Sequence, residues 1–308
     1  MISSNLHSCH GVIQSFRAHI SSDLSIPFAD IMFPEEKLSC VVGREIRFLL
    51  AVDKGGAMGC CIMASSTEPL RTEILFMHAL KEEKDVIGTL LGNVLSFLGS
   101  RRAPDVEAKW VESVHSPIFK ETLNYLGFSE KQKVRMLLGT KKMEKLPKSK
   151  ESRFRVRSTD SLLMWRAVLI SAISGKPIDE SRKQVHSETP VGTIEEDELT
   201  RLIGYADESP VGTLGYSTCT TIGYLDSLSA QPGRSDRTEM MEKLLRDAIG
   251  RLVRKRCEYV VIDVDKTNVP IDLLEGIGFH SVGSVSYFSK TITPKRQSTL
   301  ETKDGNVP

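Results

Sequence analysis

Residues 267–279 read TNVPIDLLEGIGF, and residues 116–128 read SPIFKETLNYLGF. Each stretch predicts a short amphipathic helix that ends at a glycine, because the left-handed backbone at a helix C-terminus favours glycine. We expect the phenylalanine that follows, Phe279 or Phe128, to enter a strand and face the core. The shared pattern indicates that the chain contains an internal repeat.

The same elements surround both stretches in the same order: hairpin-like strands, a long helix, a strand, the short helix and a final strand. The long helix and the two later strands are predicted at 86–100, 108–114 and 133–140 in the first copy, and at 237–256, 258–264 and 285–292 in the second. This order predicts an α/β (α+β) protein built from two copies of one mixed-sheet unit.

The repeat divides the 308 residues into two domains. We place the first at 1–143, a linker at 144–152, the second at 153–292 and a disordered tail at 293–308. The second domain opens with a strand and then a helix, SLLMWRAVLISAIS, for which Ser161 or Asp160 is the expected N-cap. A further helical turn is expected within 193–204.

Composition is that of an ordinary globular protein. The 41 Lys and Arg balance 40 Asp and Glu, and a net charge of +1 argues against a dedicated nucleic-acid binder. No apolar run approaches the roughly 18 residues of a membrane span, and the N-terminal sequence lacks the pattern of a secretory signal. We therefore expect a cytoplasmic protein with no membrane partner.

The cysteines do not form the pattern of a disulfide scaffold. Cys60 and Cys61 are adjacent within a predicted strand, so we expect two small buried side chains on opposite faces. His7, Cys9 and His10 lie close together near the terminus, but without a second ligand cluster they do not predict a metal site.

The order of elements, together with Asn268 followed by LLEGIGF, resembles the GNAT superfamily of acetyl-CoA-dependent N-acetyltransferases. The resemblance covers about 30–140 and 153–292, so it implies two tandem GNAT-like mixed-sheet domains. It implies acetyl-CoA as the co-substrate and an amine as the acceptor, and it leaves a homodimer open. The alternative is an unrelated α/β protein with two βαβ units.

The resemblance implies a coenzyme site within 228–245, LSAQPGRSDRTEMMEKLL, where a loop leads into a helix N-terminus that can bind the pyrophosphate. The implied coenzyme-binding residues are Leu228, Ala230, Gly233, Arg234, Ser235, Arg237, Thr238 and Asn268. Asp236 and Glu239 form a pattern typical of a capping box, which would compete for the same backbone N–H groups.

The corresponding loop of the first copy matches the coenzyme-binding pattern less well than that of the second copy. It opens KEEKDVIG at 81–88, and Glu82, Glu83 and Asp85 would lie beside the phosphates. We therefore expect the second copy to be the better coenzyme site.

Acyl transfer also needs a group that accepts a proton from the amine. The candidate bases are Asp226, Asp263 and Asp265 in the second copy, with Glu73, His78, Glu112 and His115 in similar positions of the first. Leu123 and Leu274 stand where the family often has a tyrosine acid.

Three functions remain open from the sequence. The first is an N-acyltransferase that uses acetyl-CoA in the second copy. The second is a non-catalytic GNAT-like binding or regulatory protein, which the acid-rich, glycine-poor loops favour. The weakest is a nucleic-acid contact through 141–157 and the basic helix face Arg246, Arg251, Arg254, Lys255 and Arg256.

Overall fold

The computed structural model describes residues 2–4, 6–20, 24, 26–28, 45–54, 56–67, 70–101, 105–141, 153–188 and 199–292. The strands are β1 (Ile2–Ser4), β2 (Glu45–Asp53), β3 (Gly56–Thr67), β4 (Leu70–Ala79), β5 (Asp105–Val111), β6 (Ser129–Gly139), β7 (Phe154–Thr159), β8 (Thr200–Ala206), β9 (Ser209–Cys219), β10 (Ile222–Ala230), β11 (Tyr259–Val264) and β12 (His280–Thr291). The helices are α1 (Leu6–Ala18), α2 (Glu83–Arg101), α3 (Pro117–Tyr125), α4 (Leu162–Ser174), α5 (Ile178–Glu188), α6 (Arg237–Arg254) and α7 (Ile271–Ile277). The predicted linker 144–152 and the tail 293–308 lie outside the described residues.

Both copies have the same internal order. In the first, β2, β3 and β4 form an antiparallel meander, and β5 joins β4 in parallel after α2. In the second, β7 to β10 form the meander, and β11 joins β10 in parallel after α6. A parallel neighbour requires a crossover, and the long helix supplies it in each copy.

The two copies exchange their last strands. The sheet has 12 strands in the order β1-β2-β3-β4-β5-β12-β6-β11-β10-β9-β8-β7. The final strand of the second copy, β12, therefore pairs with β5 of the first, while β6 of the first copy pairs with β11 of the second. Both pairings are antiparallel, and β6 and β12 also pair with each other at the centre.

The hydrophobic cores follow the exchange. Met136 and Leu138 from β6 belong to the core of the second copy around α6 and α7. Phe288 from β12 belongs to the core of the first copy around α2 and α3. Each copy thus receives both backbone pairing and apolar side chains from the other.

The repeat segments fold as the sequence predicts. Gly127 and Gly278 have φ of +76° and +110° at the ends of α3 and α7. Phe128 and Phe279 are buried in the two cores. Ser161 is the N-cap of α4, where its hydroxyl accepts a hydrogen bond from the Met164 N–H at 3.2 Å.

Other local predictions have mixed outcomes. Cys60 and Cys61 are buried on opposite faces of β3, as expected, and burial raises the pKa of the Cys61 thiol. The helical turn expected within 193–204 is wrong for its last residues, since Thr200 begins β8 and pairs with Tyr216 of β9. Pairing with β9 overrides the local preference. The sequence did not predict α5.

Two further observations concern the surface and the N-terminus. Among the helices that the structure describes, none is long and apolar enough to cross a membrane. In α1, Cys9 is buried while His7 and His10 are exposed, and no group of three or more His, Cys, Asp or Glu side chains among the described residues could hold a metal ion.

Candidate active site

A gap opens between β10 and β11 in the second copy. The two strands pair in parallel from Ile222 and Tyr259 to Leu225 and Ile262, and no further pair follows. Strand β10 continues along β9 to Ala230. The two strands therefore diverge at Asp226, and the carboxyl half of β10 keeps a neighbour on one side only.

A β-bulge marks the start of this gap. Between Asp226 and Ser229 the register of β10 against β9 shifts, so Ser227 and Leu228 together oppose a single residue. Ser227 has a φ of +55°, a left-handed conformation that is uncommon for a non-glycine residue. Bulges reorient the backbone and are frequent next to active sites.

Asp226 lies at the mouth of the gap and is exposed. Its Oδ1 accepts a hydrogen bond from the Ser227 N–H at 2.8 Å, which fixes the carboxylate against the bulge. It lies on the face of the sheet opposite α6, since its neighbour Leu225 packs into the core on the α6 side. Of the three predicted bases, Asp226 is the exposed one.

Asp263 and Asp265 have structural partners instead. Asp263 accepts two hydrogen bonds from the guanidinium of Arg135, each at 2.6 Å, and one from the Tyr287 hydroxyl. Oδ1 of Asp265 accepts from both the backbone N–H and the hydroxyl of Thr267, and these bonds lower the pKa of Asp265. Both carboxylates therefore have structural roles: Asp263 links β11 to β6, and Asp265 fixes the turn that follows β11.

The loop from 231 to 236 leads from β10 into α6. The predicted capping box does not form, because Asp236 occupies the N-cap position without a side-chain capping bond. Its carboxylate accepts instead from Arg234, at 2.8 and 2.9 Å, and from Arg153 at 2.5 Å. The Arg234 guanidinium holds the pKa of Asp236 below its usual range. Two arginines therefore contact Asp236, and the charge of Asp207 also acts on Arg234.

Arg237 joins the two sides of the gap. Its Nε donates to the carbonyl of Ala230 at 3.1 Å, and its Nη2 donates to the carbonyl of Asn268 at 2.8 Å. Arg237 thereby brings Ala230 and Asn268, two predicted coenzyme-binding residues, to one place. Gly233, Ser235 and Thr238 are exposed around it, whereas Leu228 and Ala230 are buried in the floor.

In the first copy the equivalent gap is filled. β4 pairs with β5 only as far as Ile74 and Ala108, and the β4 register shifts at Leu75. The ring of Phe16 from α1 lies 4.8 Å from the ring of His78 and 6.1 Å from that of His115.

The two histidines of this cluster are held as neutral rings. Burial lowers the pKa of His78 to about 4 and that of His115 to about 3. Nδ1 of His115 accepts the Val111 N–H at 3.0 Å. The other candidates of this copy, Glu73 and Glu112, are half-buried on β4 and exposed after β5, respectively.

The structure also places the residues at the expected tyrosine position and on the basic face of α6. Leu123 and Leu274 are fully buried core residues, while the side chain of Tyr125 is 90% exposed. On α6, Arg246 and Arg251 pair within the helix with Glu242 and Asp247, each at 2.7 Å. Pairing reduces the net positive charge that this face presents.

Sequence reasoning missed Arg201 on β8. It is a buried arginine, and its Nε and Nη2 atoms have no hydrogen-bond partner in the described part of the chain. The signal is available in TRLIGYA, where alternation places Arg201 on the same buried face as Ile203.

Comparison with solved structures identifies the fold. The chain is similar to a tandem GNAT protein from the clavulanic acid biosynthesis pathway, with 11% identity, a TM-score of 0.57, and 95% of this chain and 98% of that chain covered. It is similar to a GCN5-related N-acetyltransferase from Sphaerobacter thermophilus, with 15% identity, a TM-score of 0.55, and 93% and 90% covered. It is also similar to a GCN5-related N-acetyltransferase from Kribbella flavida, with 10% identity, a TM-score of 0.57, and 85% of this chain and 95% of that chain covered.

No family model matches the sequence, and no curated protein matches it. At these identities the structural likeness shows the fold alone. The chain has the tandem GNAT fold, and the predicted fold class is confirmed.

Proposed function

Starting from the tandem GNAT fold, we propose that the chain is an acyl-CoA-dependent N-acyltransferase that is active in its second copy. The observation that carries the proposal is the gap between β10 and β11, with a bulge at its start and the exposed Asp226 at its mouth. The filled gap of the first copy supports a non-catalytic role for that copy within this proposal. The cytoplasmic location and a homodimer stay predictions.

The residues around the gap fit an acyl-CoA. Arg237 and Arg234 place positive charge at the N-terminus of α6, and helix N-termini favour anions. Gly233, Ser235 and Thr238 are exposed there and would contact the pyrophosphate, with Asn268 on the opposite side of the gap. When bound, acetyl-CoA supplies a thioester whose carbonyl carbon is the electrophile.

The protein's own groups would carry out the remaining steps. Asp226 accepts a proton from the ammonium group of the acceptor, directly or through water, which frees the nitrogen lone pair for attack. Backbone N–H groups between Leu228 and Ala230 donate to the carbonyl oxygen as it gains charge. The new C–N bond would form as the thioester C–S bond breaks; Leu274 cannot protonate the leaving thiolate, and the second proton lost by the nitrogen would pass to solvent.

The test is binding followed by transfer. We expect acetyl-CoA to raise the Tm of the protein with saturation, and we expect transfer of a labelled acetyl group to an amine. Asp226→Asn should lower kcat by about 10²- to 10⁴-fold while the coenzyme-induced Tm shift persists. Glu208→Gln, which changes an exposed acid between β8 and β9 of the second copy, is the matched control. Absence of saturable acetyl-CoA binding at millimolar concentration would rule the proposal out.

A second candidate is a non-catalytic binding protein with the same fold. The observation that favours it is the bidentate Arg234–Asp236 pair, which uses donors that would otherwise contact phosphate. This candidate predicts no Tm shift with any acyl-CoA, and Asp236→Asn would then leave the Tm response at zero.

A further inference from the structure

Arg201 of β8 is a buried arginine on the face of the sheet away from α6. The residue is only 9% exposed, and its Nε and Nη2 find no acceptor within the described ranges. A buried cation without a partner is strongly unfavourable, so native proteins pair it with an anion or bind one there. An anionic group is therefore the partner that these two nitrogens would favour.

The two unpartnered atoms identify the kind of anion. Nε and Nη2 form one edge of the guanidinium, and two parallel hydrogen bonds from this edge match the two oxygens of a carboxylate. The same protein shows that arrangement, since Arg135 donates Nε and Nη2 to the two oxygens of Asp263 at 2.6 Å each. Arg201 offers the same edge, and no carboxylate of the described residues receives it.

Strand register places Arg201 beside the proposed base. Arg201 of β8 is opposite Gly215 of β9, and Gly215 is opposite Asp226 of β10. All three point to the face away from α6, because Leu202 and Leu214 on the other face pack into the α6 core. Two strand spacings of about 4.8 Å put the Cα atoms of Arg201 and Asp226 roughly 10 Å apart.

The position between the two charges has no side chain of its own. Gly215 lies there, and the side chain of Leu199 packs on it, with atoms 2.8 to 3.0 Å from the place a Cβ would take. A cation and an anion thus lie on either side of a small apolar surface and form no ion pair with each other. A second buried donor, Trp165 Nε1, has no acceptor among the residues that the structure describes, and it lies in the layer where α4 packs on β8.

We propose that the acceptor of the second copy is a small amino carboxylic acid. Its carboxylate accepts from Nε and Nη2 of Arg201, its carbon skeleton lies over Leu199, and its ammonium group faces Asp226. The acyl-transfer step rests on the proposed function, whereas the binding of the zwitterion does not. A simple amine would leave Arg201 without a partner, so the site selects acceptors that carry both groups.

The first experiment needs no variant. Titration calorimetry and Tm shifts are measured on the wild-type protein with glycine, leucine, γ-aminobutyrate and lysine. Each is compared with its analogue that lacks the carboxylate or the amine, such as isopentylamine and isocaproate for leucine. We expect at least one amino acid to bind at least tenfold more tightly than both of its analogues. Equal binding of an amine and its amino acid would overturn the proposal.

The second experiment changes the arginine. Arg201→Met removes the buried charge, so we expect a higher Tm for the free protein and at least a tenfold loss of amino acid affinity. Arg157→Gln, an exposed arginine on the neighbouring strand β7, is the matched control and should change neither. A lower Tm for Arg201→Met would show that the arginine is a paired structural residue and would contradict the proposal.

The two proposals fail in different ways. If amino acids bind but no acetyl group is transferred, the zwitterion site stands and the enzyme does not. If amines without a carboxylate are acetylated as fast as amino acids, the enzyme stands and the acceptor assignment is wrong.

Discussion

The two copies share one topology and differ in what occupies the gap between their parallel strands. In the first copy, Phe16 from α1 packs between His78 and His115, and only residues 80–82 connect β4 to α2. In the second copy, residues 231–236 connect β10 to α6, and Asp226 is exposed at the gap. A shared backbone therefore produces one closed and one open gap, because Phe16 of α1, a helix that precedes the meander, fills the gap of the first copy.

The exchange of final strands makes each copy depend on the other for strand pairing and for an ion pair. Arg135 belongs to the first copy by sequence, yet it pairs with Asp263 of the second and also donates to the carbonyl of Pro27 at 2.7 Å. The central ion pair therefore links both copies, and neither sheet is complete alone. The predicted domain borders remain predictions, but strand pairing crosses them in both directions.

The largest effect on stability is expected at this central pair. Arg135→Ala removes the guanidinium that donates twice to Asp263, so the free energy of unfolding should fall by about 3–5 kcal/mol. We expect one cooperative transition in urea denaturation, because the exchanged strands couple the copies. Lys131→Ala is the control, since Lys131 is 60% exposed and 3.4 Å from Asp265, and it should cost less than about 1 kcal/mol. Two separate transitions would contradict the coupling.

The filled gap of the first copy is tested next. Phe16 is 3% exposed, and Phe16→Ala should lower the free energy of unfolding by about 3 kcal/mol through the cavity it creates. The number of acetyl-CoA sites measured by calorimetry should stay at one. A second site in the variant would show that Phe16 by itself keeps coenzyme out of the first copy.

The histidines of that gap predict a dependence on pH. His115 has a pKa of about 3 in the folded protein against an ordinary value of 6.5, so below pH 6.5 the unfolded chain binds a proton that the folded protein does not. The free energy of unfolding should therefore fall as the pH drops from 6.5 towards 3, by at most about 1.4 kcal/mol per pH unit for this proton.

His115→Gln should make this decline shallower, since glutamine can accept the Val111 N–H without titrating. Denaturation between pH 7 and 5 measures the slope, and His280→Gln at an exposed position should leave it unchanged. An unchanged slope in His115→Gln would contradict a neutral buried ring.

The smallest effects are expected in the two loops. Gly233 has a φ of +78°, so Gly233→Ala should cost about 1 kcal/mol. Glu82 has a φ of +48° in the first copy, so Glu82→Gly should relieve strain and change stability by less than about 1 kcal/mol. Thermal denaturation compares the two variants. Equal destabilisation by both substitutions would mean that the loops do not differ in backbone strain.

Much of the fold is predictable from the sequence because it depends on local signals. Gly127 and Gly278 end helices through their own backbone preference, and Ser161 caps α4 through a bond to a residue three positions along. The repeat of these signals suffices to predict two mixed-sheet copies. The exposed Asp226 is predictable as a candidate base in the same way, from its place on a strand.

Tertiary structure alone decided which strands pair at the centre and which charges remain free. Asp226 and Asp263 look alike in the sequence, but Arg135 from the other copy pairs with one and leaves the other exposed. Nε and Nη2 of Arg201 have no partner in the described part of the chain, and the place of Arg201 beside Asp226 follows only from its register with Gly215. Contacts between residues distant along the chain depend on the register of the whole sheet, and no local pattern encodes that register.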